Sequence, residues 1–433
     1  MLPKLFRFLW GDINREELKK FGLLSSCLFF IVGTYWMMRT MKNAIFTDAI
    51  ETTYGKDYIS RYLGYAKIFS PLILVCLILI YSKLVDYLEK HTLVYVIAPF
   101  YACIFLGIAY GLSHPTFSKS PILGWITYFA VESFASLVVA LFWSFVASSM
   151  DTAMAKKGFP IIVFGAQFGS VLGNIIDLYA DAIGLAILFL IAGIGVFVVP
   201  FIIKTFVSIY PAVPQAGHTE PKATGAAEGL KLLLSKPYLM GVFVCSTAYE
   251  IIATTFDIQM NTLAKHHFGS PTLMTQFLAK YGLLANILSL VFSLLGTSFL
   301  IRNLGLRVCL LVFPVVMGCL AGSVWAFHGL WMLFTAMVIT RGLTYSLNNP
   351  CRDMMYIPTS RDVRFKTKSW VDTFGARGAK GIGGFIATLF PIMAQLVNYG
   401  TVISIAIAGA WFTVATYVGK INHKLVTENK IIE

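Results

Sequence analysis

The chain is predicted to be an all-α integral membrane protein of about twelve transmembrane helices in two six-helix halves. Three observations predict this. Hydrophobic residues fill 57% of 433 positions and charged residues only 13%, about half the charged share of an ordinary soluble domain. Apolar windows of about 20 residues, the length that crosses a bilayer, recur along the chain. A polar stretch bearing prolines and glycines, 206–236, interrupts them near the middle.

Residues 1–22 are polar and amphipathic, and they lack the short hydrophobic core and cleavage site of a secretory signal. The first span is therefore expected to be retained. Spans are placed at 23–46, 60–82, 92–112, 122–147, 158–180 and 183–205, and then at 237–258, 275–300, 306–326, 329–349, 369–395 and 399–419. Between them, alternate loops are basic: Lys4, Arg7, Arg15, Lys19 and Lys20, then Lys83 and Lys90, Lys156 and Lys157, Arg302 and Arg307. The series continues with Arg352, Arg361, Arg364, Lys366 and Lys368, and ends with Lys420 and Lys424. The other loops are short and nearly uncharged, or acidic in part. The positive-inside rule then puts both termini in the cytoplasm. The net charge of +13 is read as this topology signal, and no nucleic-acid partner is expected.

The seven cysteines have no paired spacing, so neither a disulfide framework nor a metal site is indicated. His266 and His267 are read as residues of a solvated external loop, since they lack the spacing of a ligand set. No Walker-type loop, zinc signature or nucleophile elbow occurs, which argues against an enzyme or an ATP-driven pump, and no cofactor is expected.

The stretch 206–236 contains Pro211, Pro214, Gly217, Pro221, Gly225 and Gly229 and reads as a linker between halves 1–205 and 237–433. A local duplication supports the division. Phe164-Gly-Ala-Gln-Phe-Gly-Ser-Val-Leu-Gly173 in the fifth span resembles Phe374-Gly-Ala-Arg-Gly-Ala-Lys-Gly-Ile-Gly383 in the eleventh, 210 residues later. Small residues three or four apart let helix backbones approach in lipid, and packing accounts for the glycines. The copies differ where Gln167 and Ser170 correspond to Arg377 and Lys380. Six helices, a linker and six related helices is the layout of a major-facilitator-like transporter.

Arg39, Glu132, Glu250, Arg341, Arg377 and Lys380 stand inside the apolar spans. A charge near the centre of a membrane helix costs roughly 2.5–3.5 kcal/mol even on mild insertion scales, so these residues should face one another or water. Arg377 and Lys380 lie about two to three turns into their span and Arg341 about midway along the tenth. Lys42, at i+3 from Arg39, lies toward the outer end of the first span, where snorkelling is the competing account, as it is for Lys67. Glu132 and Glu250 can neutralise a basic partner or carry a coupling proton. Asp177 and Asp257 approach the outer interface, where solvation suffices. Asp372, one turn below the eleventh-span cations, reads as orienting them. Bases outnumber acids in this deep set, so the substrate should carry several negative charges, and arginine forks and lysine point charges suit phosphate groups. Tyr35, Trp36, Tyr128, Tyr249 and Tyr345 are available to stack on a base.

Several separated segments carry a resemblance. Ile13-Asn-Arg-Glu-Glu-Leu-Lys-Lys-Phe21 leads into the first span, which ends Met38-Arg39-Thr-Met-Lys42-Asn-Ala. Glu132 is followed by Leu141-Phe-Trp-Ser-Phe145. The longest segment is Asn349-Pro-Cys-Arg-Asp-Met-Met-Tyr-Ile-Pro-Thr-Ser-Arg-Asp-Val-Arg-Phe-Lys-Thr-Lys368, running on through Trp370 to Lys380. These are similar to motifs of the bacterial and plastid nucleotide transporter family, whose best-known members exchange ATP for ADP. The likeness covers nearly the whole chain, and it places the family's lysine pair near Lys366 and Lys368. The chain departs from it in the seventh span, where the exchangers have Glu followed by Trp-Lys. Here Ala253-Thr-Thr-Phe-Asp257 corresponds, with Glu250 one turn earlier.

The resemblance implies a secondary transporter of nucleotides, ATP/ADP or a related pair, in a bacterial inner membrane, with a monomer expected. Arg39, Lys42, Arg377 and Lys380, supported by Arg341, are the expected phosphate contacts. Glu132 and then Glu250 are the expected coupling or orienting acids. Two alternatives stay open: a carrier of another anionic metabolite or amphiphile, and a non-transporting membrane receptor on the same fold.

Overall fold

The computed structural model of the protein describes residues 14–88, 90–150, 152–210, 226–295, 297–428 and 430–432. The lead-in 1–13 and the middle of the expected linker, 211–225, lie outside the described residues.

Among the described residues, six long helices precede the linker: α1 (Arg15–Tyr54), α2 (Ile59–Tyr87), α3 (Lys90–Ser113), α4 (Pro121–Ser149), α5 (Thr152–Asp177) and α6 (Leu185–Ile209). The linker itself ends in a short helix, α7 (Ala226–Ser235). The second series is α8 (Pro237–Phe268), α9 (Pro271–Leu295), α10 (Thr297–Ala326), α11 (Leu330–Leu343), α12 (Asn349–Met354), α13 (Arg361–Trp370), α14 (Ala376–Leu389) and α15 (Thr401–Thr427). Among the described residues, ten helices are long and apolar enough to cross a membrane, and α11 is a shorter apolar helix. Among the described residues each of the twelve expected spans lies mainly on helix, because a backbone in lipid must satisfy its own hydrogen bonds.

The boundaries differ from expectation in instructive places. At 40 residues α1 is about 60 Å long, about twice the hydrocarbon core, so it carries the polar lead-in as well as the span. Glu16 and Glu17 in its first turn favour the positive end of the helix dipole. It also runs on to Tyr54, some three turns beyond Lys42. Similarly, α8 extends ten residues past the expected end, so His266 and His267 lie in its last turn and not in a loop. There the cationic end Lys265-His-His complements the dipole. The eighth span is described as helix to Leu295; helix is described again from Thr297, and its break comes at Gly305, φ +75°. That left-handed backbone suits glycine and lets the chain turn into the ninth span.

The tenth and eleventh spans are the interrupted ones. A π-helical turn, Thr344–Asn348, follows α11, and another, Val371–Gly375, joins α13 to α14. Such turns are rare inside helices and concentrate at functional sites. They flank Arg341 and Arg377.

By compactness the chain forms two units. Unit 1 is Met1–Thr53, Leu72–Ala216 and Phe268–Leu283; unit 2 is Tyr54–Pro71, Gly217–His267 and Leu284–Glu433. The first part of α2 thus belongs to unit 2, and the first part of α9 to unit 1.

In unit 1, α5 lies against α1 backbone to backbone. A Cβ on Gly165, Gly169 or Gly173 would stand 2.4–2.5 Å from the carbonyl oxygen of Ser25, Phe29 or Gly33. The glycines of the first repeat therefore do serve packing, which replaces the hydrophobic effect as the cohesive force in lipid. Phe134 of α4 meets Tyr101 and Phe105 of α3 edge to face, and Phe189 of α6 tilts against Phe105 to complete an aromatic core. In unit 2, α10 packs along α15, and Phe313 sits against Tyr249 of α8 and Trp411 of α15. Gly383 of α14 meets Ile251 and Thr254 of α8. The end of the chain pairs back: the Ser360 and Ile432 amides donate to the Ile432 and Pro358 carbonyls at 2.9 and 3.0 Å.

The partition exposes a second trace of duplication. In unit 2, Gly64 of α2 meets Gly384 of α14; in unit 1, Gly282 of α9 meets Asn174 of α5. The offset of 210 residues that relates the two glycine segments also carries Asn174 onto Gly384.

Candidate functional site

Each unit holds its own cluster of charged side chains. In unit 1, the i,i+3 spacing of Arg39 and Lys42 puts both on one side of α1. Lys42 is 2% exposed, so it does not snorkel. Its ammonium bonds the Glu132 carboxylate of α4 and stands 4.6 Å from the centroid of the Tyr128 ring. Tyr128 and Glu132 are one turn apart, so a single face of α4 supplies both partners. Arg39 lies over the Trp36 ring, 4.7 Å from its centroid. A cation on an aromatic face in a desolvated setting gains about 2 kcal/mol, which holds the guanidinium on its own helix.

In unit 2, α8 presents Glu250, Thr254 and Asp257 along one face, at i, i+4 and i+7. Lys380 of α14 stands 3.9 Å from Glu250, a loose pair in which Lys380 remains exposed. Arg377, one turn before Lys380, is half-buried. Beside these cations the helix is bare: a Cβ at Gly378 or Gly381 would meet nothing within 4 Å. The second repeat thus uses some of its glycines for room, where the first uses its own for contact. Arg341 is half-buried in the last turn of α11.

Two acids read as solvated are not. Asp257 is 10% exposed at its side chain and pairs with Lys67 of α2 at 2.9 Å. Asp177 is fully buried and its carboxyl contacts the Thr40 hydroxyl of α1. For Asp257 the count of turns failed because α8 runs ten residues past the expected span end; Asp177 is the last residue of α5, where burial against Thr40 of α1 takes the place of solvent. The signal available in the sequence was the α8 face, Glu250-Thr254-Asp257, at helical spacing.

Asp372 does not orient Arg377 and Lys380; it pairs with Arg352 of α12 at 3.3 Å. Lys366 and Lys368, the lysines singled out by the resemblance, lie on α13 in the same network. Lys368 bonds Asp353 at 2.8 Å, and Lys366 bonds Asp362 at 2.8 Å and Glu228 of α7 at 3.0 Å. They tie the linker helix and the α12 turn together. Several rings expected to stack on a base are already engaged: Trp36 by Arg39, Tyr128 by Lys42 and Tyr249 by Phe313. The side chain of Tyr345 lies outside the described residues. Among the described residues no group of His, Cys, Asp and Glu is placed to hold a metal.

Chemically, each unit offers a lysine facing a glutamate and an arginine beside it. Such a set binds an anion when the carboxylate yields, and neutralises itself when the carboxylate returns.

Comparison with known proteins gives this arrangement a setting. The fold resembles the nucleoside transporter NupG (TM-score 0.60, 15% identity, covering 90% of this chain and 98% of that one). It also resembles a bacterial homologue of the iron transporter ferroportin (TM-score 0.63, 14% identity, 92% and 98%). In sequence, the chain is 25% identical to ADP,ATP carrier protein 2, chloroplastic, of Arabidopsis thaliana, over 95% of this chain and 75% of that protein. It is 22% identical to ADP,ATP carrier protein 4 of Rickettsia felis, over 92% and 89%. The model of the TLC ATP/ADP transporter family matches residues 2–116, 124–337 and 329–424. Helices, repeat and motifs agree with that match, and the chain is a multi-pass membrane protein belonging to the TLC ATP/ADP transporter family.

Proposed function

We propose that this protein exchanges nucleotides, ATP against ADP or a close relative, across a bacterial inner membrane, without chemical conversion of its cargo. Halves 1–205 and 237–433, joined by 206–236, rock in alternation, with both termini in the cytoplasm and the monomer as the working unit. One observation carries the reading: each unit pairs a lysine with a glutamate inside the apolar helices, Lys42 with Glu132 and Lys380 with Glu250. A carboxylate is the nearest side-chain mimic of a phosphate oxygen. A phosphate oxygen that displaces Glu132 from Lys42 in unit 1, or one that displaces Glu250 from Lys380 in unit 2, exchanges one charge-assisted contact for another, with Arg39 in the first unit and Arg377 and Arg341 in the second adding further donors. When cargo leaves, the acids return and the cations stay neutralised, which keeps desolvated charge out of the crossing.

The test is uptake of labelled ATP into cells expressing the protein, with unlabelled ADP, GTP, UTP, NAD or phosphate competing, beside Lys380→Ala. Suppression by ADP and loss in the variant support the reading. No ATP uptake and no competition among nucleotides sink it. A second reading, a different phosphorylated metabolite, is favoured by the seventh span, where Ala253-Thr-Thr-Phe-Asp257 replaces the exchangers' acid and lysine.

A further inference from the structure

Asp177 closes α5, and its carboxyl is enclosed in unit 1 with 0% exposure. Oδ2 contacts the Thr40 hydroxyl, while Oδ1 is buried with no hydrogen-bond partner. The same hydroxyl lies 2.7 Å from the Met37 carbonyl oxygen. A hydroxyl has one hydrogen, so it cannot serve both acceptors. A proton on the carboxyl resolves the conflict: Asp177 donates to Thr40 Oγ1, and Thr40 donates to Met37. An ionised carboxylate would instead be buried on a single contested hydrogen bond, at a cost of several kcal/mol.

The charged groups on the neighbouring elements are otherwise engaged. On α1, Arg39 lies over Trp36 and Lys42 faces Glu132 of α4. Asp48 and Glu51 lie two turns or more further along α1. On α9, whose Gly282 meets Asn174 of α5, Lys280 is exposed. Beyond α5, Asp181 accepts from Thr272 at 2.9 Å.

We propose that Asp177 and Thr40 form a proton-binding site, and that loading and release of this proton couple cargo movement to the proton gradient. Thr40 stands between Arg39 and Lys42 on α1, so the protonation state acts on the helix that carries two of the proposed phosphate contacts. The coupling half of this statement rests on the proposed transport function; the site itself does not.

Two measurements on the purified full-length protein test it. Infrared spectra near neutral pH should show the C=O stretch of a protonated carboxyl, absent from Asp177→Asn. Thr40→Val, which takes away the hydroxyl and keeps the acid, should shift that band without abolishing it. In proteoliposomes preloaded with ADP, the inside-to-outside quotient of the ATP/ADP ratio at steady state should change about tenfold per unit of pH gradient, the value for one coupled proton. Asp177→Asn should lose that response and keep exchange at zero gradient. A wild-type spectrum without the band, or a variant that still answers the gradient, overturns the proposal. The band together with no movement of any nucleotide supports the proton site and overturns the nucleotide reading.

Discussion

Lys67 of α2 and Asp257 of α8 form an ion pair, Nζ to Oδ2 at 2.9 Å, with both side chains largely buried. The pair closes a contact where Gly64 and Gly384 bring α2 and α14 together; Gly384 would set a Cβ 2.9 Å from that of Lys67. It also explains how unit 2 tolerates an acid where the exchangers of the resemblance carry a lysine. The positive charge comes from another helix.

Removing one partner of such a pair leaves a desolvated charge. Asp257→Ala should destabilise the purified protein by about 3 kcal/mol, and Lys67→Met with Asp257→Leu should recover most of the loss. Thermal unfolding in detergent checks this. Equal stability of all three proteins would mean that the pair is solvated.

Lys42 should matter through its charge and Glu132 through its release. Charge-assisted hydrogen bonds are worth about 1.5–3 kcal/mol, so Lys42→Ala should lower ATP uptake by roughly 10- to 100-fold. Glu132→Gln keeps the ammonium without its competing anion, and should bind ATP more tightly while turning over more slowly. Uptake kinetics separate the two: KM falls and maximal rate falls for Glu132→Gln. A raised KM there would assign Glu132 to substrate binding.

The glycines of the two repeats should respond oppositely. Gly169→Ala places a Cβ 2.4 Å from the Phe29 carbonyl oxygen, a clash that rigid helices cannot relieve cheaply, and should cost about 1–3 kcal/mol. Gly378→Ala meets nothing within 4 Å and should leave stability unchanged. Melting temperatures of the two variants decide the matter, and a destabilised Gly378→Ala would show that α14 packs there.

The linker helix should be held by Lys366. Its hydrogen bonds to Asp362 and then Glu228 raise its pKa above the ordinary lysine value. A raised folded-state value contributes stability that is fully present below the ordinary lysine pKa and is lost only as pH climbs through the raised one. Amide exchange of α7 should therefore show no contribution from Lys366 titration between about pH 6 and 9. Glu228→Lys should speed that exchange, because it sets two cations together. Unchanged exchange would assign the attachment of α7 to the close contact of Gly229 with the Lys366 carbonyl.

The sequence by itself determined the class, the helix order and the duplication. Bilayer thickness and backbone hydrogen bonding leave a chain of this hydropathy little choice but helices of about 20 residues, and a repeated glycine segment records its own history. It also made the charged residues within the apolar spans visible, since an ionisable group there stands out without a structure. The tertiary structure decided the partners. That Lys42 faces Glu132, that Lys67 answers Asp257, and that Asp177 is sealed behind Thr40 depend on how far α1 and α8 run past their apolar windows and on how closely glycines let α5 approach α1. Hydropathy ends a helix where polar residues begin, whereas the folded chain continues it wherever another helix supplies the countercharge.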